Sequence, residues 1–268
     1  MSFDYDRAWR DTTRLARENR PLLAGIAGIF FFVPYAALLL TLPLLAPMPP
    51  SGADFATIAK SMQAIYASAW WAFALVMICL VYGTLAMLAL MKLRARPTVG
   101  EALRIGAAAL PAYLLAVVIE MLGIELIVGT IAVIVATSGN SGLLVAGWII
   151  SFALQLYLVV RFAMTAPVMV LEGERNPVKA LRRSWDMTQG RGWKISGFIV
   201  LLLIAFLVVT MLLSLVFGLL LALVGEAGAQ FGDALFSAAV LSASFTLMAC
   251  VLAAVYSQIS RASRPAQD

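Results

Sequence analysis

Long apolar runs separated by short polar segments dominate the pattern of this chain. Six of them are long enough for a helix to cross the hydrocarbon core of a bilayer, which takes about 20 residues. The runs are continuous and do not alternate with period two, so they favour helices over a membrane β-barrel. We therefore predict an all-α, polytopic membrane protein whose six spans are Leu22–Ala46, Tyr66–Met91, Ile105–Ala136, Leu143–Ala166, Ile195–Val224 and Ala234–Gln258.

The composition supports a single membrane domain that covers residues 1–268. Hydrophobic residues make up 63% of the chain and charged residues 12%, whereas a soluble domain has about 25% charged residues. The segments between the runs are too short for a soluble domain, so any activity is expected in or against the membrane. The first twenty residues are charged and do not resemble a cleavable signal peptide, so the first run is expected to remain as a span.

Basic residues follow the topology of the predicted spans. All but two of the 19 Lys and Arg residues precede the first span, follow the sixth, or lie between spans two and three or four and five. The exceptions are Lys60, on the opposite side, and Arg161, within the fourth span. Because Lys and Arg are enriched on the cytoplasmic side, we predict that both termini are cytoplasmic. Cations spread in this way do not form the patch of a nucleic-acid-binding protein, so no nucleic-acid partner is expected.

Short amphipathic helices are predicted at this basic side. Residues 1–20 carry an apolar stripe among arginines, and Thr98 and Glu101 form a capping-box pattern before the third span. Residues 176–189 begin with the helix-start pair Asn176-Pro177. Their apolar stripe is Val178, Leu181 and Trp185, their polar face is Lys179, Arg182, Arg183 and Asp186, and Gly190 is the expected stop. Such helices are typical of the membrane interface.

The segments starting at Pro97 and Pro177 resemble each other, and the segment around Trp9 resembles both more weakly. One interpretation is a threefold repeat of an amphipathic helix followed by a helical hairpin. The other is that short basic amphipathic helices look alike by necessity. The sequence leaves both open.

Four polar side chains within the spans are candidates for an intramembrane polar site. They are Glu120, Glu125, Gln155 and Arg161. Helix depth places Glu120 near Gln155, and we expect a hydrogen bond between them that either clamps two helices together or belongs to a binding site. Arg161 lies closer to the basic side, where a side chain that snorkels to the interface is expected. Trp185 and Trp193 are expected to be aromatic anchors at the same interface.

The sequence contains no pattern that indicates a catalytic site. Histidine is absent, which removes the commonest general base and metal ligand. Cys79 and Cys250 lie in apolar runs and are expected to behave as small hydrophobic residues. No phosphate-binding loop, nucleophile elbow or metal-ligand spacing occurs. We predict a non-enzymatic protein with no cofactor and no metal site.

One segment resembles a known family. Its residues are Arg161, Pro167, Glu172, the run Ala180-Leu181-Arg182-Arg183-Ser184-Trp185, Thr188, Gly190 and Trp193. This pattern resembles the membrane domain of bacterial glycerophosphoryl diester phosphodiesterases and the related YciC-like inner-membrane proteins. The resemblance implies a bacterial inner-membrane module in a lipid-related setting. It implies no hydrolase activity, because the hydrolase of those enzymes is a separate soluble domain.

Three functional hypotheses remain open at this point. The first is a module that binds or moves a lipid or other amphiphile, with Lys179, Arg182 and Arg183 holding anionic headgroups. The second is a small-molecule or ion transporter that uses Glu120. The third is a structural subunit that docks a protein partner or another copy of itself. A lateral groove with basic lips would favour the first hypothesis, and a wet cavity reaching Glu120 would favour the second.

Overall fold

The computed structural model describes residues 4–45, 52, 54–92, 97–137, 141–190 and 192–262. Within these ranges the chain is helical with no strand, and six helical segments are long and apolar enough to cross a membrane. The predicted all-α, six-span fold is confirmed. Residues 46–51 and 138–140, between the predicted spans, lie outside the described residues, as do the basic residues Arg94, Arg96, Arg191 and Arg264.

The helices follow one another with short connections. A π-helical turn, Gly28–Phe32, joins α2 to α3, and a second one, Val168–Glu172, follows α7. The α-helices are α1 Tyr5–Glu18, α2 Arg20–Ala27, α3 Val33–Leu45, α4 Phe55–Leu90, α5 Val99–Thr137, α6 Ser141–Phe162, α7 Thr165–Pro167, α8 Pro177–Thr188, α9 Gly192–Leu221 and α10 Glu226–Ala262.

Side-chain caps fix several helix starts, as the sequence predicts. The backbone N–H of Thr98 donates to Glu101 at 2.8 Å, and that of Glu101 donates to the Thr98 hydroxyl at 3.3 Å. Asn176 accepts from the N–H groups of Val178 and Lys179, both at 3.1 Å. These bonds satisfy N–H groups that the first helical turn leaves unpaired. The capping box begins α5 itself, so its segment is continuous with the third span and is not a separate helix.

The second span begins earlier than its apolar run. Asp54 caps α4, which therefore starts at Phe55 and carries a polar first section before Tyr66. The fourth span is interrupted, because α6 ends at Phe162 and α7 and the second π-helical turn carry the chain on to Glu172. The sequence predicts these helix boundaries poorly, because hydropathy detects the hydrocarbon-spanning part of a helix and not its polar extension.

Pro34 disturbs the first span. Proline lacks the N–H that would bond to the carbonyl four residues earlier, and a π-helical turn is one way to accommodate it. The turn Gly28–Phe32 lies just before this proline. It packs Phe30 and Phe31 against α4. There a Cβ on Gly83 would come 2.5 Å from Phe31 Cε1. Pro43 and Pro111 lie inside α3 and α5.

The buried core concentrates at one end of the bundle, which we call the basic end. It contains α1, α8, the C-terminal ends of α4, α6 and α10, and the N-terminal ends of α5 and α9. The most deeply buried stretches are 85–91, 164–170 and 249–255. α10 packs against α1, α2, α3, α4 and α9, while α8 packs against α5 and α6.

Away from the basic end, the peripheral helices are loosely covered. The most apolar windows of α4 and α10 are 50% buried, whereas those of α5 and α9 are 6% buried. A helix apolar on all sides is expected to face lipid along such a surface. α1 and α8 are separate helices, but the corresponding segment of α5 is not, so the threefold repeat stays a prediction, as does the interfacial position of α1 and α8.

Candidate functional site

A lateral groove runs between α10 and the α2 segment on the side of the bundle. Its volume is about 620 Å³ and its walls are mostly apolar. Arg17 and Arg20 lie at its lip, where α1 gives way to α2. The remaining lining residues are Ala16, Leu23, Ala24, Ala27, Gly28, Phe32, Ala239, Ser242, Ala243, Thr246, Leu247 and Cys250. We refer to this set as the lateral groove.

Small residues on both walls create the groove. On α10 they recur at helical spacing, with Ala239, Ser242, Ala243 and Thr246 on one face. The Ser242 hydroxyl donates to the Ala27 carbonyl at 3.3 Å, which ties the two walls together. Because small side chains leave space between helices that already touch, an elongated apolar cleft results.

The two lip arginines owe their position to a break in the helix. α1 ends at Glu18, and Asn19 donates through its side chain to the Leu15 carbonyl at 3.0 Å. Pro21 is the second residue of α2, in the first turn, where a backbone donor is not needed. Arg17 and Arg20 flank this break, and both are exposed at the basic end of the groove. Within the described residues neither takes part in a salt bridge.

A second candidate site surrounds Arg161, near the end of α6. The side chain does not snorkel as predicted, since the residue is only 5% exposed. Its guanidinium carbon lies 4.0 Å from the ring centroid of Trp185 and 5.8 Å from that of Tyr157. α8 folds back over α6 and covers the arginine with Trp185, a rearrangement that counting depth along a single helix could not reveal.

The Ser184 hydroxyl holds α8 in this position, because it donates to the Arg161 carbonyl at 2.9 Å. The Thr188 hydroxyl lies 3.3 Å from the same oxygen but donates over a shorter distance, 2.9 Å, to the Ser184 carbonyl of its own helix. The buried face of α8 is formed by Ala180, Leu181, Ser184, Met187 and Thr188. Val178 is 61% exposed and lies outside this buried face. Contact of the apolar stripe with the membrane interface stays a prediction.

The polar face of α8 is exposed as predicted for Lys179, Arg182 and Arg183. Arg183 is partly neutralised, because its Nε lies 3.4 Å from a carboxylate oxygen of Glu172. The other oxygen of Glu172 accepts from the Tyr256 hydroxyl at 2.9 Å. This network joins α8 to α10 and leaves Lys179 and Arg182 as the more available cations. Trp193 is 80% exposed and packs against Tyr157, with ring centroids 5.5 Å apart.

The structure does not bring the remaining predicted polar residues together at either site. Glu120 is partly buried on α5, whereas Glu125 and Gln155 are exposed on α5 and α6. Within the described part of the chain, no hydrogen bond joins Glu120 to Gln155. A role for these three residues stays a prediction.

Comparison with known proteins gives one finding. Residues 134–262, just under half of the chain, match the family model of the membrane domain of glycerophosphoryl diester phosphodiesterase. The predicted family resemblance is confirmed. The match is to the membrane domain of these enzymes and not to their catalytic domain, and it contains Arg161, all of α8 and the α10 wall of the groove. No curated protein and no solved structure matches the chain.

Sequence reasoning missed the groove. The α10 wall carried a readable signal, namely small residues spaced three and four apart from Ala239 to Thr246. The α2 wall carried a weaker one in Ala24, Ala27 and Gly28. What could not be read was that these two faces, more than 200 positions apart, would pack side by side.

Proposed function

We propose that this multi-pass membrane protein binds an anionic lipid, with an acyl chain in the lateral groove and the headgroup at Arg17 and Arg20. The observation that carries the proposal is an open apolar cleft with a pair of exposed arginines at one end. Neither arginine forms a salt bridge within the described residues. That combination matches the two halves of a phospholipid, and it is the groove with basic lips expected of a lipid-handling module.

The energetics favour such a ligand over a purely apolar or purely ionic one. Each methylene that leaves water contributes about 0.8 kcal/mol, but a chain already in the bilayer gains much less on moving into a groove. Selectivity therefore comes from the headgroup, where each Lys or Arg near an anionic surface contributes about 1 kcal/mol.

We also propose that the protein lies in a bacterial inner membrane, as the family resemblance implies, with the basic end in the cytoplasm.

A paired charge removal tests the headgroup end of the groove. The variant Arg17→Gln with Arg20→Gln is compared with Arg7→Gln with Arg10→Gln, which removes the same charge from exposed positions on α1. Native mass spectrometry in a gentle detergent measures retained phosphatidylglycerol against phosphatidylcholine. We expect the groove variant to lose about thirtyfold in preference for the anionic lipid and the control to stay near the unmodified protein. Equal losses in both variants would contradict the proposal.

Glu120→Gln separates this proposal from the transport hypothesis in the same assay. Glu120 does not line the groove, so lipid retention is expected to stay within about twofold, roughly 0.4 kcal/mol. A selective loss of lipid in this variant would move the site to α5 and favour the intramembrane polar site predicted from the sequence.

A further inference from the structure

In the described part of the chain, the guanidinium of Arg161 is buried with no carboxylate as a counterion. The residue is 5% exposed, and its Nε is inaccessible and has no hydrogen-bond partner. Within the described residues no carboxylate lies at ion-pair distance from it, and no acceptor receives a hydrogen bond from its guanidinium. The side chain is held by aromatic rings against its face, so the edges that carry its N–H donors are not engaged.

Such a charge is expensive to bury alone. An unpaired ion loses its hydration on burial and gains no counterion in return. Stacking on Trp185 offsets part of this cost. The C-terminal end of α6 offsets a further part, because its carbonyl groups attract a cation. These contributions leave part of the cost uncompensated, which an anion at the guanidinium edge would remove.

A second electropositive feature lies beside the same arginine. Gly192 is the first residue of α9, a helix of 30 residues. A Cβ on Gly192 would lie 3.7 Å from Arg161 Nη1 and 3.5 Å from its Cδ, so the arginine runs directly along this helix start. The first turn of a helix presents unpaired N–H groups and a partial positive charge. Two positive groups in contact repel each other unless an anion bridges them.

We propose that Arg161 and the first turn of α9 form a binding site for a phosphate group. Arginine donates two parallel hydrogen bonds to phosphate oxygens, and helix N-termini bind phosphate through backbone N–H groups. The phosphate is carried by a phospholipid headgroup or is free inorganic phosphate. This site shares no residue with the lateral groove. The proposed phosphate binding can therefore be tested independently of the lipid binding proposed there.

The test is thermal unfolding of the full chain, washed free of lipid in an uncharged detergent, at constant ionic strength. One arm adds inorganic phosphate, a second adds a short-chain phosphatidic acid that dissolves as a monomer, and acetate and chloride serve as control anions. Arg161→Met removes the charge at similar length, and Arg161→Lys keeps the charge without the two-pronged geometry. Arg104→Gln, an exposed arginine on α5, controls for net charge.

We expect a phosphate-dependent rise in the unfolding temperature of the unmodified protein and of Arg104→Gln. Arg161→Met should lose that rise yet be no less stable than the unmodified protein without anion, because it no longer buries a lone charge. Arg161→Lys should bind about tenfold more weakly. A rise in both arms indicates that free phosphate is sufficient, and a rise with phosphatidic acid alone identifies the lipid headgroup.

The proposal is overturned if neither phosphate compound stabilises the unmodified protein beyond acetate. It is also overturned if Arg161→Lys responds to phosphate as the unmodified protein does. This second comparison keeps the proposal testable even if Arg161→Met does not fold.

Discussion

Ser184 fixes where α8 lies, because its hydroxyl donates to a carbonyl oxygen on α6. We predict that Ser184→Ala lowers the free energy of unfolding by about 1–3 kcal/mol, since the Arg161 carbonyl then loses this buried donor. Unfolding in detergent measures the loss, and amide exchange should rise in α8 more than in α10.

A matched control is Thr13→Val on α1. Thr13 bonds to carbonyl groups of its own helix, those of Trp9 and Arg10, so its loss should change stability little. Comparable losses in Thr13→Val and Ser184→Ala would show that the Ser184 hydroxyl does not hold α8.

At this scale the sequence predicted the identity of the notable residues better than their surroundings. Arg161 and Trp185 both stand out in the sequence, one as a charge within a span and the other as an interfacial aromatic. Their stacking depends on a reversal of the chain between residues 162 and 177, where α7 and a π-helical turn replace regular helix. Periodicity along one helix carries no information about such a reversal. The sequence therefore predicts an Arg161 side chain that extends to the membrane interface.

Among the helices, the first π-helical turn packs closely against α4 at Gly83. A Cβ on Gly83 would lie 2.5 Å from Phe31 Cε1 and 2.8 Å from Phe30 Cβ. We therefore predict that Gly83→Ala destabilises the protein by about 1–3 kcal/mol through overpacking. Gly129→Ala on α5 is the control, because nothing lies within 4 Å of its added Cβ. Equal unfolding temperatures for the two variants would contradict the close packing.

The start of α4 should depend on pH. Hydrogen bonds from the side chain and then the backbone of Thr57 hold the pKa of the Asp54 carboxyl below its ordinary value. A lowered pKa in the folded state means that the cap stabilises the helix above the ordinary pKa and is lost as the pH falls through the lowered one. We predict that amide exchange in the first turn of α4 increases in acid.

Two comparisons isolate this effect from the general pH dependence of exchange. Asp54→Asn should keep a cap and remove the acid response, and the first turn of α8, capped by the neutral Asn176, should not respond in either protein. An acid response in α8 equal to that in α4 would assign the change to a cause other than Asp54.

The existence of the helices and several of their starts followed from the sequence, because apolar runs and caps are local signals. Thr98, Glu101 and Asn176 act as predicted. The groove did not follow, since it depends on which helix faces meet. The small residues on α2 and α10 indicate close packing. The position of Arg17 and Arg20 at the lip, however, depends on the break between α1 and α2 at Asn19.

For the whole molecule, the orientation in the membrane follows from the distribution of charge. We predict that Arg10→Cys is labelled by a membrane-impermeant maleimide only from the cytoplasmic side, and Lys60→Cys only from the opposite side, because basic residues are retained in the cytoplasm. Replacing Cys79 and Cys250 by alanine provides the background. Labelling of both positions from one side would contradict the predicted topology.

The most direct measurement of the central claim is photochemical. A phosphatidylglycerol with a photoreactive acyl chain is incorporated into vesicles with the full-length protein, irradiated, and located by peptide mass spectrometry. The account predicts cross-links on the groove faces of α2 and α10, lost in Ala243→Trp, which fills the groove, and kept in Ala205→Trp, on the exposed side of α9. Cross-links spread evenly over α5, α9 and α10 and unchanged in Ala243→Trp would contradict a lipid-binding groove.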